Sequence, residues 1–216
     1  MDLKGKKICF LGDSITRGTG TSSEEKRYTD VFTAITEVSE MKNYGIGGTR
    51  IAKQQKIKPE TINYDINSFC ERYGELDPDA DIVVVFGGTN DYGHGDAPFG
   101  SFEDRTMDTY CGAIHYLMRS LIERYPTAVI VFMTPIHRAN EWNPSSGNGL
   151  PLKAYVDKIK EIAEYYSIPV LDLYSVSGIQ PDIPVQKEAY CPDGLHPNDA
   201  GAEKIARLLK GFLEAM

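Results

Sequence analysis

Short apolar runs alternate along the chain with longer stretches in which apolar residues recur at helical spacing. Apolar runs predict strands at Ile8–Leu11, Ile82–Phe86, Val129–Met133 and Pro169–Leu173. A fifth strand, the second in the chain, is expected at Lys42–Tyr44, a short segment without an apolar run. Strands that alternate with helices indicate a parallel sheet built from βαβ units. Because the crossovers in such units are right-handed, helices cover both faces of the sheet. The pattern therefore predicts a flavodoxin-like α/β/α sandwich of three layers.

The stretches between the strands each present one apolar face. Their spacing predicts helices over Tyr28–Val38, Ile114–Tyr125, Leu152–Tyr166 and Ala202–Phe212. Pro151 suits the first turn of the third helix, and Asn198 is the expected N-cap of the last. Two polar segments, 136–149 and 174–192, are predicted to be long loops, which in a compact domain are often functional. With no repeat or linker, residues 1–216 are expected to form a single domain.

Four polar or glycine-rich segments follow the predicted strands. They are GDSIT at 12–16, NYGIGGTR at 43–50, GGTND at 87–91 and DGLHP at 193–197. The carboxyl ends of parallel strands meet at one edge of the sheet, and ligands of such sheets bind there. We therefore expect the four segments to lie together although almost 190 residues of sequence separate the first from the last.

These segments contain the groups that acyl transfer by a serine requires: a nucleophile, a base, a group that orients the base, and donors for the oxyanion. Ser14 supplies a hydroxyl, His196 can accept its proton, and Asp193 is close enough in sequence to hold the ring. The Ser14 N–H and the Asn90 amide are two candidate oxyanion donors. Glycine-rich turns expose backbone N–H groups, so the third donor could be the N–H group of Gly45, Gly47 or Gly48.

The four segments resemble the four blocks of the SGNH (GDSL-type) hydrolase family, in the same order and over nearly the whole chain. The family is named for residues that here fall on Ser14, Gly48, Asn90 and His196, and Asp193 completes the triad. The resemblance implies a five-stranded parallel sheet of order 2-1-3-4-5, an oxyanion hole of Ser14, Gly48 and Asn90, and hydrolysis of esters or thioesters without a metal or cofactor. The serine context G-x-S-x-T also differs from the G-x-S-x-G turn of α/β-hydrolases.

Five further residues bear on the predicted site, and four of them lie in or near these blocks. Asp13 and Asp91 are expected to bond backbone amides. Arg50, His94 and Trp142 are candidate substrate-binding residues: His94 follows GGTND, and Trp142, the single tryptophan, could stack on a sugar face. For Arg50 an ion pair is the favoured interpretation.

Composition narrows the classes of partner. The net charge is −8, and Lys and Arg are scattered rather than clustered, which argues against nucleic-acid binding. No stretch approaches the roughly 20 apolar residues of a membrane span. The apolar run near the N-terminus is too short for a signal peptide, which favours a soluble, cytoplasmic protein. The cysteines form no C-x-x-C pair and are expected to be reduced thiols.

The leading functional hypothesis is a serine esterase that removes a short acyl group, acetyl above all, from a carbohydrate. The segments expected around Ser14 carry polar and aromatic residues and no long aliphatic run. A lysophospholipase or acyl-thioesterase is the alternative within enzymes. A non-catalytic flavodoxin-like module that binds a ligand is the alternative from another class, although no G-x-G-x-x-G or G-K-[ST] motif occurs. The expected partner is a small-molecule ester, and the formation of a homo-oligomer stays open.

Overall fold

In the computed structural model, which describes residues 1–216, five parallel strands form one sheet. The strands are β1 (Lys7–Gly12), β2 (Glu40–Gly45), β3 (Ile82–Phe86), β4 (Val129–Met133) and β5 (Val170–Leu171). Their spatial order is β2-β1-β3-β4-β5. This confirms the predicted all-parallel sheet and the order that the family resemblance implied.

Helices connect the strands and cover both faces of the sheet. They are α1 (Ser14–Arg17), α2 (Tyr28–Ala34), α3 (Ile62–Asp65), α4 (Phe69–Arg72), α5 (Thr89–His94), α6 (Tyr110–Arg124), α7 (Leu152–Tyr165), α8 (Leu173–Val176), α9 (Pro184–Tyr190) and α10 (Asp199–Glu214). Three single turns of 3-10 helix lie at Glu24–Lys26, Pro59–Thr61 and Tyr73–Glu75. None of the helices is both long and apolar enough to cross a membrane.

Two apolar cores sandwich the sheet, because successive residues of a strand point to opposite faces. Cys9 and Leu11 of β1 pack with α4, α6 and α7 on one face. Ile8 and Phe10 pack with α2 and α10 on the other. The three-layer sandwich is thus as predicted. All four cysteines are buried free thiols.

The helix predicted over Tyr28–Val38 ends earlier, at Ala34. Beyond that point the backbone forms hydrogen bonds with the residues just before β1. The Gly5 N–H donates to the Glu37 carbonyl, and the Ser39 N–H donates to the Lys6 carbonyl. These tertiary hydrogen bonds draw residues 37–39 toward β2. The apolar residues keep their helical spacing past Ala34, but the backbone there is hydrogen-bonded beside β1 and leads directly into β2.

The last strand and the segment after it also differ from the prediction. Strand β5 stops at Leu171, because Asp172 is the N-cap of α8 and its carboxylate accepts the Ser175 hydroxyl at 2.8 Å. The segment 174–192 is not one long loop, since it contains α9. Pro184 occupies the first turn of that helix, a favoured proline position that the sequence reasoning overlooked. Segment 136–149 contains no helix or strand.

Candidate active site

Ser14 lies immediately beyond β1, at the first residue of α1. The Asp13 carboxylate caps this helix by accepting the Ile15 N–H at 2.9 Å. The turn is tight enough that a Cβ on Gly12 would lie 1.9 Å from the Thr16 hydroxyl oxygen. A glycine before the serine thus lets the strand turn directly into the helix. The Ser14 N–H opens the helix, where N–H groups have no intrahelical acceptor.

His196 reaches Ser14 from the turn between α9 and α10. Ser14 Oγ and His196 Nε2 are 3.0 Å apart, and His196 Nδ1 is 2.7 Å from Asp193 Oδ2. With its proton on Nδ1, the ring donates to Asp193 and leaves the Nε2 lone pair for the serine hydroxyl. The structure therefore brings the three residues together in the geometry of a nucleophile, a base and the group that orients the base.

The backbone holds Asp193 so that one oxygen faces the histidine ring. Its Oδ1 accepts the N–H groups of Leu195 at 2.8 Å and of His196 at 2.7 Å. Partial burial opposes ionisation, but the hydrogen bonds from the His196 backbone and ring outweigh it and lower the pKa of Asp193 below its ordinary value. Asp193 is therefore a carboxylate at neutral pH, able to accept the Nδ1 proton of His196.

Gly48 and Asn90 lie beside Ser14 on the neighbouring loops. Gly48 adopts φ +79°, and a Cβ there would lie 2.9 Å from the Tyr64 ring, so conformation and contact both require glycine. Its N–H donates to no backbone carbonyl. The Asn90 amide nitrogen donates to the Thr49 carbonyl at 2.9 Å and keeps a second N–H. These free N–H groups and that of Ser14 can serve one oxyanion.

His94 fixes which end of the Asn90 amide faces the cleft. His94 Nε2 lies 3.2 Å from Asn90 Oδ1, one turn earlier on α5. Burial, assisted by the positive charges of Arg50 and Arg138, lowers the pKa of His94 to about 4. The ring is therefore neutral at neutral pH, and the Oδ1 contact places its single proton on Nε2. Together with Thr49, His94 orients the Asn90 nitrogen as the donor.

Buried polar groups lock the loops of the site together. Asp91 accepts the N–H groups of Ile51 and Ala52, each at 3.0 Å, and so ties the loop after β3 to the loop after β2. Burial raises the pKa of Asp91 to about 6. The buried Arg72 of α4 donates to the carbonyls of Gly12 and Tyr44, at the ends of β1 and β2. Asp13 and Asp91 thus bond backbone amides as predicted.

An open cleft of about 570 Å³ lies above Ser14 and His196. It is lined by Ser14, Arg17, Thr19, Ile46, Gly47, Gly48, Asn63, Tyr64, Asn90, Gly93, His94, Arg138, Leu195 and His196. The sequence reasoning missed Arg17, Tyr64 and Arg138. Arg17 follows Ser14 by three residues on α1, so helical spacing could have identified it. The segments that hold Tyr64 and Arg138 offered no comparable signal.

Two of the three candidate substrate-binding residues do not line this cleft. Arg50 is buried and pairs with Asp65 at 2.8 Å, the alternative that the sequence favoured. It lines a smaller cavity of about 340 Å³, which adjoins the cleft through Tyr64 and His94. Trp142 is 65% exposed and lines neither cavity. His94 lies in the cleft, where it bonds Asn90.

Comparisons with known proteins show the family of the chain. Residues 10–204 match the sequence profile of the GDSL-like Lipase/Acylhydrolase family. A protein structure from Lactobacillus plantarum is 34% identical, with a TM-score of 0.85 over 98% of each chain. The lipase/acylhydrolase from Enterococcus faecalis is 22% identical, with a TM-score of 0.64 over 97% of this chain and 96% of that one.

A two-domain esterase active on acetylated mannans has the same fold. It is 21% identical, with a TM-score of 0.64 over 97% of this chain and 48% of that one. A comparison with curated protein sequences finds no match.

Proposed function

Because the chain belongs to the GDSL-like lipase/acylhydrolase family and is a serine esterase, we propose that Ser14 is its nucleophile and that it removes short acyl groups, above all acetyl, from a carbohydrate. The observation that carries the proposed mechanism is the chain of hydrogen bonds from Ser14 through His196 to Asp193. The proposed substrate class is supported by the mostly polar lining of the cleft.

The reaction follows from the positions of the protons. His196 Nε2 accepts the Ser14 proton as Oγ attacks the ester carbonyl, and Asp193 stabilises the imidazolium that forms. The oxyanion receives hydrogen bonds from the N–H groups of Ser14 and Gly48 and from the Asn90 amide. His196 then gives the proton to the departing alcohol oxygen. Water repeats the sequence on the acyl-enzyme and releases the acid.

The lining of the cleft favours a small acyl group on a polar alcohol. Of the 14 residues around it, three are hydrophobic. An octanoyl chain has six more CH₂ groups than acetyl, and burying them would contribute about 5 kcal/mol in an apolar channel. A polar cleft open to water offers little of that gain.

A cavity with a mainly apolar lining lies elsewhere in the molecule. Eight of its 11 lining residues are hydrophobic, and it includes Val129 and Pro169, at the amino ends of β4 and β5. It is therefore at the opposite edge of the sheet from Ser14. The mannan esterase independently supports a carbohydrate as the alcohol half of the substrate, since that protein of the same fold acts on an acetylated carbohydrate.

The test compares kcat/KM for 4-nitrophenyl acetate and octanoate, together with acetylated oligosaccharides. We expect acetate to be preferred and acetate to be released from the sugars. A clear preference for octanoate would refute the short-acyl proposal and favour a lysophospholipase or thioesterase. Ser14→Ala should lose on the order of 10⁴-fold in kcat and resist labelling by a fluorophosphonate. Undiminished labelling of that variant would place the nucleophile elsewhere.

A further inference from the structure

The cleft above Ser14 carries positive charge and no negative charge, in a protein whose net charge is −8. Its lining contains no aspartate or glutamate, and its permanently charged side chains are Arg17 and Arg138. Asp193 orients His196 but does not line the cleft. The permanently charged side chains that line the cleft are therefore all cationic, in a protein whose net charge is negative.

Neither arginine has a carboxylate partner. Arg17 Nη2 donates to the Thr19 hydroxyl at 3.1 Å, and Arg138 Nη1 donates to the Thr89 carbonyl at 3.1 Å. Arg50, a short distance away, is paired with Asp65. A guanidinium without a counter-ion beside a cleft is open to an anion that enters it, and its planar fork matches carboxylate and phosphate oxygens.

Arg138 is the more constrained of the two. It is half-buried, its Nε is buried without a hydrogen-bond partner, and burial lowers its pKa below the ordinary arginine value. Its guanidinium lies 5.3 Å from the centre of the Tyr92 ring. The Tyr92 hydroxyl in turn donates to the Asn140 carbonyl at 2.8 Å, in the same loop as Arg138. The cation is thus held in place although no carboxylate forms an ion pair with it; Asp13 and Asp193 act on it only from a longer distance.

The position of Arg138 indicates which half of an ester it faces. Its loop is tied to the His196 turn, because the Ala139 N–H donates to the Gly194 carbonyl at 2.7 Å. His196 must deliver its proton to the alcohol oxygen, so the leaving alcohol lies on the His196 side of Ser14. Arg17, which also lines the cleft, packs over Gly47, where a Cβ would lie 3.1 Å from its Cζ.

We propose that the alcohol half of the substrate carries an anionic group, a carboxylate or a phosphate, which Arg138 binds and to which Arg17 adds positive charge. The inference rests on the proposed function, since it places the leaving alcohol beside His196. For a carbohydrate substrate it specifies an acidic sugar ester. Arg138 is then a specificity-determining residue of the esterase and contacts the alcohol rather than the acyl group.

The test uses two acetyl esters that differ in charge, 4-acetoxybenzoate and its methyl ester, with 4-acetoxyphenyl phosphate as the phosphate arm. We expect the wild type to prefer the anionic esters, chiefly through KM, and the preference to weaken in 0.5 M salt. Arg138→Gln should reduce the ratio of anionic to neutral kcat/KM by about 10- to 100-fold, the range of a charge-assisted hydrogen bond. The two anions distinguish a carboxylate site from a phosphate site.

A matched control is Arg207→Gln, which removes an exposed arginine of α10 far from the cleft and should leave the ratio unchanged. Equal ratios in wild type and Arg138→Gln would overturn the anion proposal while leaving the esterase intact. Failure of every ester would instead refute the proposed function. Calorimetric titration with 4-hydroxybenzoate then tests the anion site without catalysis: binding that Arg138→Gln abolishes supports it, and absence of binding to the wild type refutes it.

Discussion

The hydrogen bonds of Asp193 make asparagine a more damaging substitution there than alanine. In Asp193→Asn the side-chain oxygen stays with the N–H groups of Leu195 and His196, which Oδ1 accepts at 2.8 and 2.7 Å. The amide NH₂ then faces His196 Nδ1, which must become the acceptor. The ring proton moves to Nε2. The Ser14 hydroxyl then faces an N–H donor instead of the lone pair that would accept its proton.

The expected losses follow from this geometry. The wrong tautomer costs about 10⁴-fold in kcat in a serine triad, which corresponds to about 5.4 kcal/mol. In Asp193→Ala no side chain forces the His196 proton onto Nε2. The Asp193 side chain is 54% exposed, and an ion pair so open to water contributes about 1 kcal/mol or less. We expect alanine to cost about 10- to 100-fold, since it loses that interaction and some orientation of the ring.

The assay is steady-state hydrolysis of 4-nitrophenyl acetate by both variants, with thermal unfolding as a control for folding. Asparagine should be at least tenfold slower than alanine. Asparagine with activity equal to or above that of alanine would refute the argument that the backbone donors fix the amide. An asparagine variant within tenfold of the wild type would show that Asp193 does not orient the base.

Three further predictions address the neighbouring groups. Asn90→Ala should lose about 10²–10³-fold in kcat with little change in KM, because its hydrogen bond forms mainly in the transition state; an effect confined to KM would make Asn90 a binding residue. His94→Ala should lower kcat about tenfold by freeing the Asn90 amide, and His94→Gln, which retains an N–H donor, should recover most of it; equal losses would indicate a purely structural role. Burial raises the pKa of Asp13 from 3.8 to about 7, so its ionisation costs stability progressively as the pH rises from 4 to 7. Asp13→Asn keeps an acceptor for the Ile15 N–H and should gain up to about 4 kcal/mol over the wild type across that window. Urea unfolding at pH 4 and pH 8 measures this, and a gain independent of pH, or equalled in the exposed control Asp182→Asn, would contradict it.

The sequence by itself determined the sheet and supplied the residues of the proposed triad and oxyanion hole. Four of the five predicted strands contain a local apolar run, and three of the four blocks begin at the carboxyl ends of β1, β2 and β3. Because parallel strands end at one edge, the position of a block in the sequence already decides its position in space. The histidine block was expected at the same edge because it follows the last strand, but the chain reaches it by way of α8 and α9, which the sequence analysis did not predict.

Tertiary structure alone decided where several elements end and what else lines the cleft. Helix α2 stops where hydrogen bonds to distant residues outcompete local periodicity, and strand β5 stops where Asp172 becomes the N-cap residue of α8. Arg138 enters the cleft because Tyr92 and Gly194 hold its loop there, whereas Trp142, in the same loop, remains in solvent. The positions of these side chains depend on contacts between segments far apart in the chain, and no spacing within a single segment encodes such contacts.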